Sequence, residues 1–168
     1  DVLPEFREYE RISTTVMNAY LMPRMDGYLD RFMKRSRKTG VEAKPYTIHS
    51  NGGLMSTETA RNYPVRTCLS GPAAGVVGAA LVGKAAAFPD IITYDVGGTS
   101  TDVALIAGGK PAYSADRDVA GYSIRCPMVD VSVIGAGGGS IAWLDDAGGL
   151  KVGPQSAAAV PGPAAYGK

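Results

Sequence analysis

The sequence predicts an α/β fold. Helical periodicity runs through residues 5–38 and again through 70–87. Short β-branched apolar runs, separated by glycine turns, lie between and after these segments. The sharpest of them is residues 91–106, IITYDVGGTSTDVALI. Two apolar strands flank a glycine break there, and each brings an aspartate to it.

That hairpin carries the chemistry. Gly97 and Gly98 lack Cβ atoms, so backbone N–H groups can come close to an anion. Thr99, Ser100 and Thr101 add three hydroxyl donors. Asp95 enters the turn and Asp102 leaves it, the two candidate catalytic carboxylates. A carboxylate at the end of the first strand can hold Mg²⁺ through water or orient a group for phosphoryl transfer. The pattern suits a triphosphate tail with its metal, and Asp95 is the expected Mg²⁺ residue. A bare Gly-Gly turn would be an ordinary hairpin; the full Asp-x-Gly-Gly-Thr-x-Thr-Asp pattern favours phosphate.

Bulk properties narrow the class. The 168 residues, 45% hydrophobic and 20% charged, allow a real core. A net charge of +1 speaks against nucleic acid as a partner. No charge-free stretch reaches membrane-spanning length; the nearest, 72–88, carries Lys84. Cys68 and Cys126 have no disulfide or metal-ligand framework, and with no leader pattern at Asp1 the expected location is cytoplasmic.

In chain order, Phe6, Tyr9, Ile12, Val16, Ala19 and Tyr20 recur at helical spacing. Pro23 is expected to punctuate the run, with a second helix over 26–38 whose Arg31, Lys34, Arg35, Arg37 and Lys38 form a solvated face. Residues 45–49 read as a strand ended by Asn51-Gly52-Gly53; His49, the only histidine, reads as structural. Ser56 or Thr57 can cap a short helix that Pro64 ends. Ser70-Gly71-Pro72 starts a helix whose Gly75, Gly78, Ala79 and Gly83 allow close packing; its N-terminus is a secondary phosphate candidate. Residues 110–115 and 122–126 are strand candidates, with Asp116, Arg117 and Asp118 in a solvated loop between them.

Residues 128–134 lead to a second glycine loop, where Gly135, Gly137, Gly138 and Gly139 are candidate backbone donors to a nucleotide or phosphorylated substrate. A dinucleotide fingerprint would need glycine where Ser140 stands, and no Gly-Lys-Ser/Thr element occurs. Asp130 is a substrate-proximal candidate, or equally a strand-end aspartate. The tail 153–168, rich in Pro, Gly and Ala, reads as an extended loop.

DVGGTSTDV resembles the phosphate-binding hairpin of the actin-like ATPase superfamily. EFREYERISTTVMNAYL, SNGGLMS, SGPAAGVVGA, IGAGGGSIAWLD and VGPQSAAAVPGPAAYG, in that order, resemble the hydantoinase A and 5-oxoprolinase family. The resemblance implies a ribonuclease H-like (actin-like ATPase) lobe with a mixed sheet flanked by helices. It implies a helical interdomain segment over 1–40 and the lobe over 41–168. It also implies an ATP-dependent cyclic-amide hydrolase, in which ATP phosphorylates the carbonyl or enolate oxygen of a small-molecule substrate. A ketone carboxylase subunit and a non-catalytic nucleotide-binding module are the alternatives, with a sugar kinase lobe behind them. The family usually works with a hydantoinase B-type partner subunit. By its standards this is a piece of a longer subunit, expected to be inactive alone and to hold at best half of the nucleotide cleft. Where family members commonly carry His and Cys, this chain has Ser132 and Ala165, so a metal site relying on them is not expected.

Overall fold

The computed structural model describes residues 2–167. They form three α-helices, two short 3₁₀ turns and ten strands, the α/β composition expected. All strand pairings among the described residues are antiparallel and fall into four sheets, so the expected mixed sheet is not formed among them. The chain divides into two compact units, Asp1–Gly78 with Tyr113–Val129, and Ala79–Ala112 with Asp130–Lys168.

The first unit is built on α1, Glu8–Lys38, a single helix that runs through Pro23. Proline inside a helix removes one hydrogen bond and costs about 3 kcal/mol. Anchors on both sides offset that cost. Before Pro23, the Ser13 hydroxyl donates to the Ser123 carbonyl at 2.7 Å, and Thr14 Oγ1 accepts from the Arg125 N–H at 3.0 Å. After it, Arg61 pairs with both Asp26 and Asp30, and Leu29 packs with Met55, Ala60 and Met25. The expected break at Pro23 is therefore absent.

The buried side of α1 is partly polar. Asn18, 3% exposed, donates to the Asn62 carbonyl at 3.0 Å and accepts from the Val65 N–H at 3.2 Å. Its apolar repeat, Tyr9, Ile12, Val16 and Tyr20, is exposed. We expect Asn18→Ala to strand the buried Val65 N–H and lower stability by about 1–3 kcal/mol, read as the urea midpoint. An unchanged midpoint would refute that role.

Strands β1, Tyr46–Ile48, and β2, Leu54–Ser56, form a hairpin closed by residues 49–53. Helix α2, Thr57–Asn62, follows; the Ser56 hydroxyl caps it by accepting from the Thr59 N–H at 3.1 Å. A 3₁₀ turn, Pro64–Thr67, precedes α3, Ser70–Ala85, and the unit boundary falls within α3. Strands β6, Tyr113–Val119, and β7, Tyr122–Val129, complete the first unit. Asp116, Arg117 and Asp118 are strand residues, not a loop. The turn lies instead at Ala120 and Gly121, both at positive φ (55° and 83°), which suits a two-residue hairpin. Asp116 is drawn into the strand by a two-pronged pair with Arg125 at 2.6 Å. Val65, Ile124, Cys126 and Met128 form the core beside it.

In the second unit, β3, Ile91–Val96, pairs with β4, Thr101–Ala107. The short β5, Lys110–Pro111, and β8, Val131–Ile134, flank β4 on its other edge. Ala104, Ile106 and Val131 are buried on one face. Strands β9, Ser140–Leu144, and β10, Leu150–Ser156, make a separate hairpin over residues expected in part to be loop.

Candidate functional site

The hairpin register places Asp95 directly opposite Asp102, and Val96 opposite Thr101. Paired residues share a face of the sheet, with Cα atoms about 5 Å apart. Two carboxylates thus meet at the neck of the turn, Asp95 exposed and Asp102 partly so. Like charges directly opposite cost stability, so the pair calls for a compensating cation or a functional reason. Among the described residues, no group of three or more His, Cys, Asp or Glu gathers around a common point. Two carboxylates fit a hard cation that keeps most of its water, as Mg²⁺ does.

Residues 97–100 form the turn itself. The Gly97 N–H donates to the Ser100 carbonyl at 2.8 Å and closes it. The N–H groups of Gly98, Thr99 and Ser100 donate to no protein acceptor among the described residues. Adjacent backbone donors without a protein acceptor are one requirement of an anion-binding turn. The Thr99 side chain is exposed beside them. Thr101 is different: it is 3% exposed, and its hydroxyl donates to the Ala136 carbonyl at 2.6 Å. That proton is spent on bracing the turn.

The second glycine loop braces the turn as well. Gly138 and Gly139 donate their N–H groups to the Gly97 and Gly98 carbonyls at 2.9 and 2.7 Å. The Gly137 N–H donates to Ser140 Oγ at 2.9 Å. Of the four glycines expected to offer donors, only Gly135 makes no such bond among the described residues. The approach is backbone to backbone. A Cβ on Gly137 would stand 2.6 Å from the Gly97 oxygen, and one on Gly139 2.5 Å from the Ala158 oxygen.

The tail forms the third layer. Ala157 N–H donates to the Gly139 carbonyl at 2.7 Å, and Ser156 Oγ donates to the Gly98 carbonyl at 3.3 Å. A Cβ on Gly98 would meet Ala159 N at 2.5 Å. Three segments distant in sequence, 97–101, 136–140 and 156–159, therefore lock into one stack, with the three N–H groups that have no protein acceptor at its turn. The family resemblance implies that this tail returns to the active-site region; sequence reasoning did not assign the contacts that Ser156–Ala159 make. The glycines opposite it were the available signal, since glycine suits a close backbone approach.

Asp130 does not join this turn. Ile134 lies opposite Thr101, whereas Val131, next to Asp130, lies opposite Ala104. That sets Asp130 just beyond the far end of β8, about 13 Å from Ile134 along the chain at 3.3 Å per residue. Ser132 faces Val103 in the same ladder.

Comparison with known proteins gives this geometry its context. The family model described as Hydantoinase/oxoprolinase matches residues 11–168. The chain is 45% identical to the caprolactamase subunit alpha of Pseudomonas jessenii over 168 residues, 100% of this chain and 24% of the relative. It is 35% identical to the acetophenone carboxylase gamma subunit of Aromatoleum aromaticum, covering 98% of this chain and 22% of the relative. The crystal structure of the ATP-dependent caprolactamase from Pseudomonas jessenii superposes with a TM-score of 0.80 at 44% identity, covering 99% of this chain and 24% of that one. The chain therefore spans about a quarter of the length of these relatives. No helix among the described residues is long and apolar enough to cross a membrane. The fold is α/β, of the ribonuclease H-like (actin-like ATPase) class, as expected. With 158 of its 168 residues matched (11 through 168), the chain belongs to the Hydantoinase/oxoprolinase family.

Proposed function

We propose that this chain is the phosphate-handling part of an ATP-dependent enzyme that opens cyclic amides. One observation carries the reading: in the braced turn 97–100 three adjacent N–H groups have no protein acceptor among the described residues, next to two opposed carboxylates. Gly98, Thr99 and Ser100 would take phosphate oxygens, and the exposed Thr99 hydroxyl would add a donor. Asp95, with Asp102 across the ladder, would hold Mg²⁺ through water or orient the reacting group. Bound Mg-ATP would supply a phosphoryl group to the amide oxygen, which would make the carbonyl carbon electrophilic enough for water to add and for the ring nitrogen to leave with a proton. The protein's share is positioning and charge placement. Thr101, Gly137, Gly138 and Gly139 support the turn from behind.

Similarity to a caprolactamase subunit favours a lactam-type amide as substrate. Similarity to an acetophenone carboxylase subunit supports a second reading, in which the same phosphoryl transfer activates an enolate oxygen. Both relatives are named as subunits, which supports a second, hydantoinase B-type subunit as partner. The free cysteines Cys68 and Cys126 fit a reducing, cytoplasmic setting.

The test is an amide NMR titration with Mg-ATP. Shifts concentrated at residues 95–100 are expected, and Thr99→Ala weakens them. Gly98→Val is a poor control, because a side chain there would collide with the Ala158–Ala159 backbone. A family-length subunit in which these amides stay unmoved at saturating Mg-ATP would overturn the reading.

A further inference from the structure

We infer that the first unit carries a pocket for a small organic carboxylate, built from Arg66, His49 and Asn51. The inference is independent of the proposed ATP chemistry. A cavity of about 350 Å³ is lined by these three residues together with Arg125, Glu5 and Cys126. That volume falls in the range of small-molecule sites.

The donors are fixed in place. Ser50, 1% exposed, donates both its N–H and its hydroxyl to the Arg66 carbonyl, at 2.7 and 2.6 Å. This ties the 49–53 turn to the 3₁₀ turn Pro64–Thr67. The Asn51 N–H donates to His49 Nδ1 at 3.0 Å, so the proton of the neutral ring sits on Nε2. Asn51 Oδ1 accepts from the Gly53 N–H at 2.9 Å, which leaves its amide NH₂ as the donor end. Arg66 lies with its guanidinium carbon 4.5 Å from the centre of the Tyr63 ring, oriented but not neutralised.

The charge balance points the same way. Arg125 is already paired with Asp116 and Glu5, so both nearby carboxylates are spent on it. Burial pushes the Cys126 thiol up to about 11, so it adds no charge near neutral pH. Arg66 makes no ion pair among the described residues. Burial first, and then the charge of Arg66, hold His49 below its ordinary pKa. A guanidinium without an ion pair, an imidazole N–H and an amide NH₂, carried by residues that line one cavity, are a donor set a carboxylate can complete, and a planar fork favours it over a spherical anion.

His49 is the only histidine, so its ring signals report on this pocket alone. The 168-residue chain is titrated with sodium acetate, with propionamide as an uncharged analogue and inorganic phosphate as a second anion. Acetate is expected to shift the His49 ring signals saturably and to raise the His49 pKa, because a bound anion stabilises imidazolium. Propionamide leaves them unmoved. Arg66→Gln weakens acetate binding about tenfold, as loss of a charge-assisted hydrogen bond implies, and Arg66→Lys falls between. The Ser50 bonds use the Arg66 backbone, so both variants keep that anchor. A linear, non-saturating shift, an equal response in Arg66→Gln, or tighter binding of phosphate than of acetate would overturn the inference.

Discussion

Replacing Asp95 with asparagine in a family-length subunit is expected to lower ATP-dependent turnover by about 10²–10³-fold, the scale of losing a preorganised electrostatic contact to the reacting group. The same change should slightly raise stability. Asp95 and Asp102 oppose each other in the ladder, and removing one of two facing like charges relieves about 0.2–1 kcal/mol. The two readouts together are the test. Lost activity with an equal or higher unfolding midpoint marks a residue kept for function at a cost in stability. Lost activity with a lower midpoint would mean Asp95 serves the fold. Unchanged turnover would end the proposal that this hairpin handles the phosphates. Asp102→Asn gives the same stability gain with a smaller loss of turnover, because Asp102 is the less exposed of the pair.

The hairpin was legible because its signal is local. Two β-branched runs around Gly97-Gly98 specify two antiparallel strands, and the period of two then puts Asp95 and Asp102 on one face. The capping of α2 by Ser56 was legible for the same reason: the capping hydroxyl and the N–H that donates to it are three residues apart. What the sequence hid is set by distant partners. Pro23 looks like a helix end, and only the anchors of Thr14, Asn18 and Arg61 explain why α1 continues. Asp116 and Asp118 look like loop residues until Arg125 is placed across the ladder. The glycines of 135–139 looked like ligand donors because glycine serves two ends equally well. It lets backbone approach a ligand, and it lets backbone approach backbone. For Gly137 and Gly139 the atoms that approach belong to the protein.

This sets up a sharp contrast within one loop. Gly139→Ala is expected to destabilise the second unit by about 3 kcal/mol, at the upper end of overpacking penalties. The added Cβ would stand 2.5 Å from the Ala158 oxygen, 2.8 Å from the Ala158 nitrogen and 2.8 Å from the Gly98 oxygen. All three are backbone atoms, so no side chain can swing away to make room. Gly138→Ala, one residue earlier, meets only the Gly97 oxygen at 3.8 Å, an ordinary contact, and should change stability by less than about 0.5 kcal/mol. Both variants keep the N–H that donates to the hairpin, so a lost hydrogen bond cannot account for the difference. Denaturant midpoints of the two variants measured side by side decide it. Equal midpoints would mean that the stack of 97–101, 136–140 and 156–159 is not packed backbone against backbone. The N–H groups of Gly98, Thr99 and Ser100 would then lose the rigid support that the proposed anion-binding role requires.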